Sequence, residues 1–404
     1  MASTAFLHRV RLKNYRSIGA CDVRLGQLTF LVGRNGSGKS NFVDALRFVA
    51  DALNQSLDHA LRDRGGIHEV RRHSSGHPTH FSIRLDLCDP RFRGHYAFEI
   101  SAAANGAWNV KREECHVLLS TEVLQHPDGV RFEVQGGVVT AFPPHLGAAP
   151  PATSDRLFLV NAAGHAPFRL VFDALSRMGF YNLNPDAMRE LQPPDPGHLL
   201  KRDGSNVASA LARLDAKPER KQRLIEYLAR VVPGVIDVEH KVFGPRETVE
   251  FRQQVHGAKD SWRFVAQNMS DGTIRALGVL LALMQDGNGL PIPLVGIEEP
   301  EAALHPAAAG VLLDALREAS TRMQILATSH SAELLDTKEL PDDAILAVDA
   351  EENETRIGPV DHPGREALRE RLYTAGELLR MEQLRPDAQA ARPHQLQLFG
   401  RDPA

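Results

Sequence analysis

The sequence predicts an α/β protein organised around a phosphate-binding loop, with a mixed central sheet, an antiparallel β-subdomain and a helical insert. Three observations predict it. Gly33-Arg34-Asn35-Gly36-Ser37-Gly38-Lys39-Ser40 fits the pattern G-x-x-x-x-G-K-[ST]. An apolar run at 28–32 precedes it and a helical pattern at 41–53 follows, so the loop joins a strand to a helix. From residue 270 onward apolar strands alternate with helices, as parallel-sheet units do.

The elements follow in order. Residues 7–12 alternate and 21–25 form a second short strand, so 4–34 read as β-rich. After the loop helix, alternating runs at 81–87, 96–101, 108–118 and 130–142 predict antiparallel strands. A Pro- and Ala-rich loop fills 143–155, and 166–232 read as helical, broken at Pro193-Pro194-Asp195-Pro196-Gly197 and Pro218. Strands return at 235–242, 249–255 and 262–267, and the last sheet strand is expected near 346–348. The expected division is a phosphate-loop core from 1–60 and 262–350, a β-subdomain at 61–165, and a helical lobe with return strands at 166–261. A C-terminal helix at 351–385 and a flexible polar tail at 386–404 complete it.

Composition excludes several classes. The 404 residues are 24% charged and 43% hydrophobic with a net charge of −4, so a nucleic-acid contact would need a local patch rather than a global field. Three cysteines without a CxxC pair argue against a zinc site or a disulfide framework and fit a reducing cytoplasm, the expected location. The longest apolar stretch, 274–284, contains Arg275 and is too short to cross a bilayer, so no membrane partner is expected.

Four motifs carry the chemistry. In the phosphate loop, glycines let backbone N–H groups face a polyphosphate at a helix N-terminus; Lys39 reaches the β- and γ-phosphates and Ser40 ligates Mg²⁺. Asn268-Met269-Ser270-Asp271-Gly272-Thr273 precedes a helix, which reads either as an anion site or as a plain N-cap. Pro293 to Glu301 is an apolar strand ending in carboxylates, a costly arrangement unless a metal or base role compensates. Glu298 is the expected Mg²⁺ ligand and Glu299 the group that polarises water. Gln324 to Ser331 is a second apolar strand, ending at His330, a candidate γ-phosphate contact or a helix cap.

Phosphate loop, Ser-x-Gly, carboxylate-tipped strand and histidine occur in the order of an ABC-type ATPase head, which this chain resembles. Asn14-Tyr15-Arg16-Ser17 resembles the Asn-Phe-Arg-Ser turn of the RecF/SMC branch. Glu298-Glu299-Pro300-Glu301 with Leu304-His305-Pro306 looks like the OLD-type and stand-alone "AAA family ATPase" members of that branch. The resemblance covers roughly residues 4–60 and 262–350. Glu298 departs from the Asp of many heads, Asp271 from a Ser-Gly-Gly signature, and no glutamine loop is placed.

The resemblance implies an ATP- and Mg²⁺-dependent ATPase that forms a homodimer on ATP. Catalytic roles fall to Glu299 and His330, and metal binding to Ser40 and Glu298. Nucleotide contacts fall to Arg16, Asn35, Gly36, Ser37, Gly38, Lys39, Ser40 and Asn41, with Ser270 and Gly272 capping the γ-phosphate held by the partner copy. The implied setting is DNA repair, recombination or anti-phage defence. The alternative is a nucleotide-switched scaffold for a separately encoded nuclease or toxin effector; a transporter subunit would carry Leu-Ser-Gly-Gly-Gln. DNA contacts are expected from Arg62, Arg64, Arg71 and Arg72 and from the basic helix spanning Arg213 to Arg230. Gln395-Leu396-Gln397-Leu398-Phe399 resembles a peptide that docks on the bacterial sliding clamp, a further expected partner.

Overall fold

Alternation of apolar and polar residues builds the largest element, a seven-stranded antiparallel sheet. Its order is Ile18–Arg24, Leu7–Tyr15, His80–Asp89, Phe92–Ala102, Trp108–Leu119, Val130–Gln135 and Val138–Ala141. Register places Val10 opposite Leu85, and Leu85 opposite Tyr96. Val10, Leu12, Ile83, Leu85, Tyr96 and Phe98 therefore share one buried face. Arg11, Arg84, His95 and Glu114 fall on the other. In this computed structural model the described residues are 5–74, 78–120, 129–255, 257, 259–287, 289–392 and 396–400.

The chain forms two compact units. The first comprises 1–178, 341–372 and 381–404 and contains the large sheet. In it, Leu28–Val32 pairs in parallel with Ile345–Glu351, which continues through a hairpin into Glu354–Pro359. The hairpin turns at Glu352 and Asn353, both with positive φ (50° and 64°), the backbone that matches the twist of paired strands. Helix Lys39–Asn54 leaves the strand Leu28–Val32 through the phosphate loop. Its Phe48 meets Tyr15 and Phe81 edge-on, at centroid distances of 6.1 and 5.5 Å, which fixes the helix against the sheet.

The second unit comprises 179–340 and 373–380. Its strands Gly179–Tyr181, Leu294–Glu298 and Gln324–Ser329 are parallel, with Leu294–Glu298 in the middle. The interiors of the last two, 294–297 and 325–327, are unbroken apolar runs, as in strands covered on both faces. A separate antiparallel meander holds Val235–Phe243, Arg246–Gln253 and Trp262–Val265. Helix Asp271–Met284 is buried on nearly every side, which explains its almost continuous hydrophobicity. Among the described residues no helix is long and apolar enough to cross a membrane.

Several expectations are corrected. The helix expected over 351–385 begins as the strand Glu354–Pro359; only His362–Arg369 and Ala375–Arg380 are helical. The run at 130–142 is two strands, because Gly136 and Gly137 take positive φ and turn the chain. The helical stretch at 166–232 contains the strand Gly179–Tyr181, too short for periodicity to register. The tail expected to be flexible from 386 is seated over its described part: Asp387 donates to the Pro359 carbonyl at 2.8 Å, Leu398 is buried, and Phe399 lies under Arg112. Its expected docking peptide is therefore held on the chain's own sheet; Gln395 lies outside the described residues.

The basic residues expected to track DNA are largely paired. Arg64 is buried against Asp44 and Asp51, Arg62 meets Asp58, and Arg72 meets Glu354. On the helix Pro218–Val231, Arg220 reaches Asp286, Arg223 reaches Glu226 and Glu318, and Arg230 reaches Asp314. These contacts neutralise the charge that a phosphate track would need.

Candidate functional site

In the first unit the phosphate loop is shaped by its glycines. Gly36 and Gly38 have φ of 78° and 100°. A β-carbon on Gly38 would fall 1.9 Å from Thr355 Oγ1, and one on Gly33 would fall 2.0 Å from the Val348 carbonyl oxygen. Lys39 is buried, with Nζ donating to the carbonyls of Gly33 and Arg34 at 2.8 and 2.9 Å. Gly38 caps the helix without a side-chain bond, and no acidic residue occupies the first turn. That terminus keeps the partial positive charge that favours an anion.

A hydrogen-bond chain holds the loop from behind. Asn41 Nδ2 donates to Ser17 Oγ at 2.6 Å, Ser17 Oγ lies 2.7 Å from Thr355 Oγ1, and Thr355 Oγ1 donates to the Ser37 carbonyl at 3.0 Å. The Thr355 amide also donates to the Ser17 carbonyl at 2.9 Å. Ser17 ends the Asn14–Ser17 turn, where Asn14 and Arg16 adopt positive φ of 57° and 48°. Asn41 thus meets the turn, whereas Asn35, Gly36 and Ser40 lie exposed at the loop surface.

Arg16 points to the helix: its guanidinium pairs with Asp44 at 3.1 Å. Burial acts to raise the Asp44 carboxyl, but Arg64, Arg16 and Arg47 overcome it and hold the group below the ordinary carboxylate range. Burial, then the Asp44 charge, pushes the Tyr15 hydroxyl well above its usual value, so it stays protonated and donates to Asp44 at 2.8 Å.

In the second unit the carboxylates stand at the ends of parallel strands. Glu299 leaves the strand Leu294–Glu298 with φ of 46°, rare for a side chain of its kind. Its amide donates to Thr328 Oγ1 and to the Thr328 carbonyl, both at 3.1 Å. Its carboxylate reaches His330 Nδ1 at 3.2 Å, where the neighbouring strand ends. Glu298 meets Arg202 at 3.2 Å. Two residues further on, Ser329 donates to Glu301 at 2.6 Å; burial raises the Glu301 carboxyl above its usual range.

The Ser-x-Gly segment caps its own helix. Ser270 Oγ accepts from the Thr273 amide at 3.3 Å. Arg189 holds the approach, donating to the Met269 carbonyl at 3.1 Å and pairing with Asp271. Gly272 passes so close to the loop after Glu301 that a β-carbon would fall 2.5 Å from the Ala303 carbonyl oxygen. Arg275 joins these parts: it donates to the carbonyls of Leu183 at 2.6 Å, Glu298 at 3.1 Å and Glu299 at 3.2 Å.

Three residues that contact the candidate site's elements escaped sequence reasoning. Thr355 lies on a strand read as helix. Arg275 was visible as the one charge inside an apolar run, and Arg202 carried no local signal at all. A nucleotide phosphate fits the first unit: Ser37 Oγ is buried without a hydrogen-bond partner beside a helix N-terminus whose first turn carries no acidic residue, and the exposed Ser40 hydroxyl is an oxygen donor of the kind Mg²⁺ takes. Among the described residues no cluster of three His, Cys, Asp or Glu side chains forms a metal site, so a metal here would rely on nucleotide oxygens for most of its ligands.

Comparison with known proteins agrees with the loop and the strands. Residues 6–123 match the family described as AAA ATPase domain, and residues 157–336 match the AAA domain family described as putative AbiEii toxin, Type IV TA system. DNA replication and repair protein RecF of Allorhizobium ampelinum is 39% identical over 51 residues, 12% of this chain and 14% of that protein. The fold is similar to that of an Smc head bound to the C-winged helix domain of ScpA, with a TM-score of 0.53 at 14% identity over 87% of this chain and 96% of that one. It is also similar to the Pyrococcus furiosus Smc head bound to the C-terminal domain of ScpA, with a TM-score of 0.50 at 14% identity over 91% and 99%.

Proposed function

We propose that this RecF/SMC-like ABC-type P-loop ATPase binds ATP with Mg²⁺, pairs with a second copy across the bound nucleotide, and separates after hydrolysis. The observation that carries the reading is the Glu299–His330 pair, 3.2 Å apart at the tips of adjacent parallel strands, with Glu299 held in a strained backbone. Strain of about 1–3 kcal/mol persists where function fixes a group's direction.

In this reading the loop amides, Lys39 and the open helix terminus bind the phosphates, and Ser40 and Glu298 hold Mg²⁺. Bound Mg²⁺ supplies charge neutralisation for the phosphate oxygens. Glu299 orients water and accepts its proton, and His330 hydrogen-bonds a phosphate oxygen. Arg16, Asn35 and Asn41 border the loop, and Ser270 and Gly272 of the second copy cap the outer phosphate. Positioning and charge stabilisation carry most of the catalysis, since phosphoryl transfer asks for little covalent help.

The RecF likeness supports DNA repair or recombination as the setting and DNA as a partner. The family description of residues 157–336, a putative toxin of a type IV TA system, favours the second reading: a nucleotide-switched element in defence, acting with a separately encoded effector. Both settings place the chain in the cytoplasm. The test is Glu299→Gln in gel filtration with ATP and Mg²⁺, beside turnover with and without DNA. We expect retained ATP binding, a trapped dimer and turnover cut by at least about a hundredfold. Unchanged turnover would remove Glu299 from the chemistry. Turnover at background in the wild type, with ATP still bound, would favour the switched element.

A further inference from the structure

The outer face of the large sheet carries a feature that nucleotide chemistry does not use. The solvent side of an antiparallel sheet is ordinarily wet and polar. Here Arg11, Arg84 and Glu114 lie side by side on that face, yet they are 0%, 2% and 1% exposed. Part of the cover is the peptide 396–400. Arg11 donates to the Gln397 carbonyl at 3.0 Å, and Arg84 donates to the carbonyls of Leu398 at 3.3 Å and Gly400 at 2.7 Å. The Gly400 amide donates to Glu114 at 2.7 Å, and the Arg112 guanidinium lies 4.3 Å above the Phe399 ring. Leu398 is buried, 7% exposed.

We propose that this face is a peptide-docking site whose ligand is a peptide of the 396–400 kind, read through its backbone and anchored by adjacent leucine and phenylalanine side chains. The chain's own tail occupies it in cis, and the same segment of a second copy fits it in trans.

Three considerations select a peptide. The face offers donors to carbonyl oxygens and an acceptor to an amide N–H, the two groups a peptide backbone presents. Glu114 would repel a phosphate backbone at the point where it accepts from Gly400. The ring under Arg112 and the buried leucine give side-chain specificity on top of the backbone contacts. Opening the seat returns Arg11, Arg84 and Glu114 to water, where charged groups are well solvated. The docked state therefore keeps only a modest advantage, and the tail exchanges with a competing peptide.

The inference is independent of the nucleotide reading and is tested without ATP. A labelled peptide of residues 392–404 is titrated, by fluorescence anisotropy, against the full-length protein and against full-length Leu398→Asp/Phe399→Ala, whose own tail leaves the seat. An occupied seat lowers apparent affinity by the fraction that stands empty. We expect the double variant to bind the peptide at least about tenfold more tightly than the wild type. Adding Arg112→Ala to the double variant should reverse most of that gain. Hydrogen exchange at the Gly400 amide should be slow in the wild type and fast in the double variant. Equal binding by the two proteins overturns the proposal. So does no binding by a double variant that melts like the wild type, and so does unprotected exchange at Gly400 in the wild type.

Discussion

The Thr355 hydroxyl donates to the Ser37 carbonyl at 3.0 Å, and the space beside Thr355 exists only because residue 38 has no β-carbon. A residue more than three hundred positions away in sequence thus fixes the curvature of the phosphate loop. The chain Asn41–Ser17–Thr355–Ser37 passes one hydrogen bond to the next, and each strengthens its neighbour.

Thr355→Val keeps the side-chain shape and removes the hydroxyl. It leaves the Ser37 carbonyl and the Ser17 hydroxyl without that partner, a loss of about 1–2 kcal/mol. Nucleotide affinity should fall by roughly tenfold, and Thr355→Ser should restore it. Titration with a fluorescent ATP analogue measures both; equal affinities for wild type and Thr355→Val would show that the chain does not shape the loop.

Arg275→Met should damage turnover and stability together. It removes the donor shared by the Leu183, Glu298 and Glu299 carbonyls and buries an apolar chain in its place. We expect a stability loss of about 2–4 kcal/mol. We also expect kcat to fall by about tenfold or more as the Glu299 backbone relaxes. A variant with normal kcat and a normal melting temperature would mean that the three contacts are incidental.

The phosphate loop was legible in the sequence because its constraint is local: glycine spacing alone dictates a backbone that faces an anion. The strand Leu28–Val32 was legible for the same reason, as an unbroken apolar run ending at the loop. Thr355 was not, since its strand pairs through the turn at Glu352 and Asn353, and Glu352 is a residue that seldom takes positive φ. Arg16 was legible as part of a turn, but its pairing with Asp44 depends on where the following helix packs. The seated tail was hidden for a further reason. Its contact from Arg11 to Gln397 spans 386 positions, and a polar tail carries no periodicity that would disclose it.

Stability should also carry a signature of Glu113. This carboxyl faces the apolar side of the large sheet, where burial pushes it up to about 7 although it accepts from Tyr96 Oη and the Phe158 and Leu159 amides. Its folded-state value lies above the ordinary 4.5, so the native state holds the proton more tightly than the unfolded chain does. Stability from this group is complete below about pH 4.5 and declines as pH rises to about 7, by up to about 3 kcal/mol. Glu113→Gln cannot titrate. The difference in unfolding free energy between wild type and Glu113→Gln should therefore shift in favour of the variant from pH 5 to pH 8. A difference that stays constant across that range would contradict a raised Glu113.

The central claim is a site completed by two copies, and mixing two inactive variants tests it most directly. Lys39→Ala removes the phosphate contact on one side, and Ser270→Arg blocks the cap on the other. Each alone should be inactive. In an equal mixture, mixed dimers pair an intact loop with an intact Ser270. Random exchange should then restore about a quarter of the wild-type rate, one working site in half of the dimers. A mixture that stays inactive after subunit exchange is verified would contradict the shared site, and activity in Ser270→Arg alone would contradict the capping role.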